Sequence, residues 1–173
     1  MTKNALVAAV AVAALSAWGS AAVKAQTPGD ACTLLQAAEI QVLAGAGKVG
    51  AGKPSTDALG SRMCRYEWGT GANVQSGRSI LDVTVTPTAK AFPATNASLV
   101  RQGLLASVKA GDPNAAVIPG VGDAAIYQSN APIRLEATAL LKGNLLLISF
   151  QSPDARAKKD QVIALLKAAA GRL

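Results

Sequence analysis

The residues with the most obvious chemistry in this chain are its two cysteines, Cys32 and Cys64. Two thiols can form a disulfide, act as a redox pair or help to bind a metal ion. A redox pair usually has CxxC spacing, which is absent, and the sequence has 0 histidines to complete a zinc site. An even number of cysteines in an oxidising compartment indicates a disulfide first. We therefore predict one structural disulfide between Cys32 and Cys64.

The lack of histidine also removes several kinds of catalytic site. Ser-His-Asp and Cys-His systems need an imidazole base, although a serine–lysine pair or two carboxylates could still act without one. Glu67, Asp82 and Glu136 lie on predicted strands, but nothing in their spacing brings two of them together, and surface solvation explains each more simply. The sequence predicts no catalytic residue, no metal ligand and no cofactor.

A glycine motif has the spacing of a phosphate-binding loop. Gly45, Gly47 and Gly50 match GxGxxG, but such a loop follows a strand and opens a helix, where backbone amides meet the phosphate. Here the motif follows a predicted helix and leads to Pro54. A phosphate site is therefore not expected.

The N-terminus predicts export. Lys3 precedes the apolar stretch from Ala5 to Trp18, and small residues follow as far as Ala25, a pattern typical of a secretory signal peptide cleaved before Gln26. The alternative is a retained membrane anchor, because the uncharged segment approaches the roughly 20 residues that span a bilayer. Its alanine-rich composition favours cleavage.

We expect residues 1–25 to be a signal peptide and residues 26–173 to be one soluble domain, periplasmic or secreted, with no stable membrane anchor. A chain of that length can bury about two thirds of its unfolded surface. The net charge of +7 falls to +5 without Lys3 and Lys24. Outside the cytoplasm, a basic surface meets glycolipid, cell-wall polymer or acidic protein rather than nucleic acid, or it serves only solubility.

The elements that must position these side chains follow from hydrophobic periodicity. Helices are predicted over Gln36–Gly45 and Pro93–Ala110, and from the Ser152-Pro153-Asp154 cap to Ala170. Strands are predicted over Ser61–Trp68, Arg78–Thr86, around Ile126–Tyr127, Ile133–Leu141 and Leu145–Gln151. Strands joined by hairpins, with helices between and after them, predict an α+β fold: an antiparallel sheet of about five to seven strands with helices packed on it.

Two strands carry further information. Along Ser61–Trp68, Cys64 shares one face with Tyr66 and Trp68, while Arg65 lies on the other, so the disulfide would hold the first helix against the inner face of the sheet. Leu145–Phe150 has no polar face and is expected to run through the centre of the sheet, covered on both sides.

Arg65, Tyr66 and Trp68 are the candidate residues for contact with a partner, because arginine and aromatic side chains dominate interface energetics. The alternative for Tyr66 and Trp68 is packing in the core beside Cys64, which their shared face favours.

The chain combines five local patterns: Cys32-Thr-Leu-Leu before an Ala-Ala-Glu helix, Cys64 in a Cys-x-Tyr strand, the turn from Pro119 to Ala125, the Lys142-Gly-Asn hairpin and a C-terminal helix. Together they resemble a group of small exported bacterial domains of unknown function, many of them actinobacterial lipoproteins. The group is similar in outline to the PsbP/Mog1-like α/β/α sandwich, which implies helices on both faces of the sheet. This chain lacks the acylated cysteine of the lipoproteins, and the resemblance implies no catalytic residues.

Three functional classes are consistent with these features. We expect a non-enzymatic binding or accessory domain whose partner is an envelope protein, lipid or cell-wall component. An envelope enzyme without histidine would instead require a pocket that holds two titratable groups within hydrogen-bond reach. A subunit of an envelope assembly would expose a large apolar patch.

Overall fold

The computed structural model describes residues 30–108 and 111–173. The predicted signal peptide and its cleavage site lie outside the described residues. The strands are β1 (Lys53–Thr56), β2 (Arg62–Trp68), β3 (Ser79–Pro87), β4 (Ala115–Val117), β5 (Ala124–Ala131), β6 (Arg134–Leu141) and β7 (Asn144–Gln151). The helices are α1 (Ala37–Ala44), α2 (Thr88–Ala91), α3 (Ala97–Ala106) and α4 (Lys159–Arg172), with 3-10 turns at Ala31–Thr33 and Ala155–Lys158.

The strands form one antiparallel sheet in the order β1-β2-β3-β7-β6-β5-β4. The predicted α+β fold is confirmed. We call the face of the sheet that carries Cys64 the inner face and the face that carries Arg65 the outer face.

The inner face holds the core. Leu146, Ile148 and Phe150 of the central strand β7 are almost completely buried there, and Trp68 stacks on Phe150 with ring centroids 5.8 Å apart. The helices α1 and α4 cover this face. The buried stripe of α4 consists of Val162, Leu165, Leu166 and Ala169.

The helix α3 lies on the outer face, beside Ile126 of β5 and Thr138 of β6, so helices cover both faces of the sheet. It begins where the side chain of Asn96 accepts a hydrogen bond from the backbone N–H of Leu99, as an N-cap residue does. None of its described residues is fully buried. The helix therefore covers the outer face only loosely.

The central position of β7 is confirmed, but its cover is unequal. On the outer face Leu145 and Leu147 are only half-buried. The prediction that β7 is covered on both sides holds for the inner face. On the outer face it holds only in part, because α3 does not fully cover Leu145 and Leu147.

Other elements differ from the prediction in detail. The C-terminal α-helix begins at Lys159 rather than at Pro153. Ser152 is buried and accepts a hydrogen bond from Ser79, and it also bonds to Asp154, so its hydroxyl does not cap an α-helix. Between β6 and β7 the turn consists of two residues, Lys142 and Gly143, both with positive φ, and Asn144 already belongs to β7. This is the geometry of a tight hairpin.

The strands β1 and β4 were not predicted. All four residues of β1 are exposed, so the strand shows no apolar alternation, and it contains Pro54. Proline is tolerated because β1 is an edge strand that pairs only with β2. The other edge strand, β4, has only three residues. Neither strand is long enough for periodicity to reveal it.

Within the two described ranges, no helix is both long enough and apolar enough to cross a bilayer.

Candidate functional site on the outer face

The predicted disulfide is confirmed. Cys32 and Cys64 are bonded with a Cα–Cα distance of 4.9 Å. Cys32 lies in the 3-10 turn before α1, and Cys64 is completely buried on the inner face. The hydroxyl of Tyr66 donates to the carbonyl oxygen of Cys32 at 3.2 Å. The disulfide and this hydrogen bond together fasten the segment before α1 to β2.

The three candidate contact residues do not share one surface. Tyr66 is 7% and Trp68 is 8% exposed, both on the inner face, which favours their alternative interpretation as core residues. Arg65 lies on the outer face with a side chain that is 44% exposed. Of the three, only Arg65 is placed to meet a partner in this conformation.

A line of polar residues crosses the outer face. Arg65 of β2 is opposite Asp82 of β3, which is opposite Ser149 of β7; Ser149 is opposite Glu136 of β6, and Glu136 is opposite Gln128 of β5. We call these five residues the polar row. Side chains directly opposite one another have Cβ atoms about 4.5–5.5 Å apart. Sequence spacing did not relate Asp82 to Glu136, but the strand order places them on either side of Ser149.

Both carboxylates of the polar row form ion pairs with arginine. Asp82 accepts two hydrogen bonds from Arg65, at 2.8 and 2.9 Å, and this bonding raises the pKa of Arg65 above its ordinary value. Glu136 pairs with Arg134, which lies two residues away on β6. The two pairs balance two positive charges against two negative ones.

Ser149 lies between the two carboxylates and is only 4% exposed. Its hydroxyl is buried, and among the described residues it has no hydrogen-bond partner. A buried polar group without a partner costs about 1–3 kcal/mol. Ser149 interrupts the apolar run of β7, and that interruption was the signal in the sequence that could have marked it.

Beside the polar row, the outer face becomes apolar and forms a cleft with α3. The cleft has a volume of about 440 Å³. We call it the outer cleft; it is lined by Phe92, Thr95, Leu99, Val100, Gly103, Leu104, Ser107, Ile126, Gln128, Thr138 and Leu145. None of these described lining residues is charged. Small-molecule sites typically have about 300–1,000 Å³ and a mostly apolar lining with a few polar groups.

Gly103 occupies a position in the middle of α3 that faces the outer cleft. A Cβ atom added there would meet no atom within 4 Å. Glycine inside a helix is less favourable than alanine by about 0.5–1 kcal/mol. Here the missing side chain leaves space in the outer cleft. A glycine within the predicted helix Pro93–Ala110 was the feature of the sequence that could have pointed to this space.

Gln128 joins the two features. It ends the polar row and also lines the outer cleft, where its side-chain amide donates to the carbonyl oxygen of Ser107 in the turn after α3. Ile126 and Thr138, which line the cleft, are each two residues along their strands from Gln128 and Glu136. Two residues along a strand span about 6.5–7 Å. The outer face is therefore amphipathic over a short distance.

A second groove lies on the other side of the molecule, between α1 and α4. It includes Glu39 and Asp160 among its lining residues, and Val42 is exposed at its rim. The carboxylate of Glu39 accepts two hydrogen bonds from Arg172, both at 2.7 Å, and this bonding lowers the pKa of Glu39. This groove has two carboxylates in its lining, whereas no described lining residue of the outer cleft is charged.

Among the described residues, no three cysteine, aspartate or glutamate side chains are grouped so that they could hold a metal ion. No family model matches the chain, and comparisons with curated proteins and with solved structures found no match either. The resemblance to small exported bacterial domains stays a prediction, and a functional assignment has to be argued from the outer face.

Proposed function

We propose that this protein is an exported, non-enzymatic binding domain that holds the hydrocarbon part of a small envelope lipid in the outer cleft. The observation that carries the proposal is the uncharged cleft of about 440 Å³ between α3 and the sheet. Its apolar walls favour a hydrocarbon chain, because the hydrophobic effect stabilises buried apolar surface and requires no particular orientation of the ligand. Its few polar groups are neutral, which suits a ligand that carries no charge at this point.

The size of the outer cleft supports a single chain. At about 30 Å³ for each water-sized group, 440 Å³ holds on the order of a dozen carbon atoms. Burial of about ten methylene groups contributes roughly 8 kcal/mol, from which the cost of association must be subtracted. We therefore expect an affinity in the micromolar range or weaker.

The remaining features support the proposal of an exported, non-enzymatic binding domain. The N-terminal pattern and the Cys32–Cys64 disulfide favour an oxidising compartment outside the cytoplasm. Asp82 and Glu136 are each paired with an arginine, which favours a binding role over acid–base catalysis. A lining without charge offers nothing to a phosphate backbone, so nucleic acid is not the expected partner.

The test uses N-phenyl-1-naphthylamine, an uncharged dye whose fluorescence rises in apolar surroundings, with the protein produced from the full chain. Gly103→Leu would place a side chain in the outer cleft without meeting an atom at the Cβ position. Gly171→Leu is the matched control, because Gly171 is also helical, is exposed and has nothing within 4 Å of an added Cβ. Both variants exchange a helical glycine for the same better helix former.

We expect the wild type and Gly171→Leu to bind the dye saturably, and Gly103→Leu to bind at least tenfold more weakly. Both variants should melt at the wild-type temperature or slightly above it, because leucine is a better helix former than glycine. Equal affinity in all three proteins would show that the dye binds elsewhere and would remove the basis of the proposal. Capture of an envelope protein or a cell-wall polymer by all three, with no dye binding, would favour those partners instead.

A further inference from the structure

The polar row adds information about the ligand that the outer cleft alone does not contain. Ser149 keeps a buried hydroxyl without a partner among the described residues, between the carboxylates of Asp82 and Glu136. A native protein rarely leaves such a group unbonded, because the lost hydrogen bonds to water are not replaced. Because this hydroxyl lies beside the outer cleft, a ligand bound there could supply the missing hydrogen bond.

We infer that the ligand in the outer cleft has an uncharged head with hydroxyl groups, and that this head hydrogen-bonds to Ser149 in the polar row. The inference rests on the proposed function, because the hydrocarbon part must lie in the outer cleft for the head to reach the row. A single-chain acylglycerol has the required chemistry.

The charge balance of the polar row selects a neutral head. An anionic head would face the carboxylates of Asp82 and Glu136, and a cationic head would face the guanidinium groups of Arg65 and Arg134. Each of these charges already has a partner of opposite sign, so a charged head would have to displace an existing ion-pair partner or be buried without a counterion, which costs free energy. Hydroxyl groups avoid this conflict because each can donate to a carboxylate and accept from Ser149.

The geometry places the head next to the hydrocarbon chain. Ser149 lies two residues along β7 from Leu147, and Leu147 is directly opposite Thr138, which lines the outer cleft. The polar row and the neighbouring pair Leu147 and Thr138 are therefore about 6.5–7 Å apart along the strands. A head of three carbon atoms attached to a chain in the cleft can bridge that distance.

Two long side chains lie on the outer face near the polar row. The side chains of Arg65 and Arg134, on the outer face near Ser149, are 44% and 47% exposed. Exposed side chains change rotamer within picoseconds to nanoseconds. We expect movement of these side chains to admit a head group to the hydroxyl.

The test compares three ligands of equal chain length, each kept below its micellar concentration and measured by displacement of N-phenyl-1-naphthylamine. Monolauroylglycerol has an uncharged hydroxyl head, methyl laurate lacks hydroxyl groups and laurate is an anion. The variant is Ser149→Ala, which removes an unbonded hydroxyl and should leave stability unchanged or slightly higher. Ser55→Ala, on the exposed edge strand β1, is the matched control.

We expect the wild type to bind monolauroylglycerol about five- to tenfold more tightly than methyl laurate, as one gained hydrogen bond of about 1 kcal/mol implies. Ser149→Ala should abolish this preference and leave the affinity for methyl laurate unchanged, while Ser55→Ala should behave as the wild type. Equal affinities for the two uncharged ligands, or tightest binding of laurate, would overturn the inference and leave the hydrocarbon cleft intact. Failure of the dye and of all three ligands to bind would overturn the proposed function itself.

Discussion

Removal of the disulfide should destabilise the protein by a large and calculable amount. The bond joins residues 32 positions apart and fastens the turn before α1 to the inner face of the sheet. In the chain-entropy treatment, closing a loop of this length contributes about 3.7 kcal/mol at 25 °C. Replacing both cysteines by alanine also removes the packing of the buried sulfur of Cys64, which adds about 1 kcal/mol. We expect the double variant C32A/C64A to lose about 4–5 kcal/mol.

Urea unfolding is a suitable measurement because the described residues include one tryptophan, Trp68, which is buried and stacked on Phe150. Its fluorescence should change when the core opens. With a urea dependence of about 2 kcal/mol per molar, a loss of 4–5 kcal/mol lowers the midpoint by about 2 M. The wild type treated with a reductant should approach the variant, whereas the reductant should not affect the variant itself.

A fall in the midpoint of less than about 0.5 M would refute this reasoning, because it corresponds to about 1 kcal/mol. The segment before α1 would then be held mainly by its buried side chains, such as Leu34 and Leu35, and by the hydrogen bond from Tyr66. Two alkylatable thiols in the untreated wild type would contradict the disulfide itself.

Four further predictions follow from single features. Hydrogen bonds from Arg172 lower the pKa of Glu39 below its ordinary value of 4.5. The pair therefore stabilises the folded protein above pH 4.5, and this stabilisation is lost as the pH falls through the lowered pKa. Glu39→Gln removes the titrating group, so the melting temperature of the variant should differ less between pH 7 and pH 3 than that of the wild type. Gly103→Ala should raise the free energy of unfolding by about 0.5–1 kcal/mol in urea titrations, because no atom lies within 4 Å of an added Cβ and φ is not positive there. Leu166→Ala should lower it by about 2–5 kcal/mol, because the side chain is completely buried. N-terminal sequencing of the protein recovered from outside the cytoplasm should begin at Gln26, and recovery of an intact N-terminus in the membrane fraction would instead indicate an anchor.

Local patterns in the sequence predicted much of the fold because each depends on neighbouring residues. Alternation along Ser61–Trp68 correctly assigned Cys64 to the inner face and Arg65 to the outer face. The Lys142-Gly143 pair marked a hairpin, since its turn needs two residues with positive φ. The start of α4 was misplaced because the hydroxyl of Ser152 bonds to distant Ser79, a contact that no local pattern contains.

The candidate site depended on contacts between distant parts of the chain. Periodicity states which residues share a face of one strand, but it does not state which strands are neighbours. Only the tertiary structure placed β7 between β3 and β6, and this order brings Ser149 between Asp82 and Glu136.

The sequence by itself determined the two cysteines that pair, the inner and outer residues of the long strands, and the presence of a helix where α3 lies. The tertiary structure decided how far α3 lies from the sheet, and therefore that a cleft of about 440 Å³ exists beside the polar row. The physical reason is that secondary structure follows from short-range sterics and hydrophobic alternation, whereas a cleft is the space left after distant elements have packed.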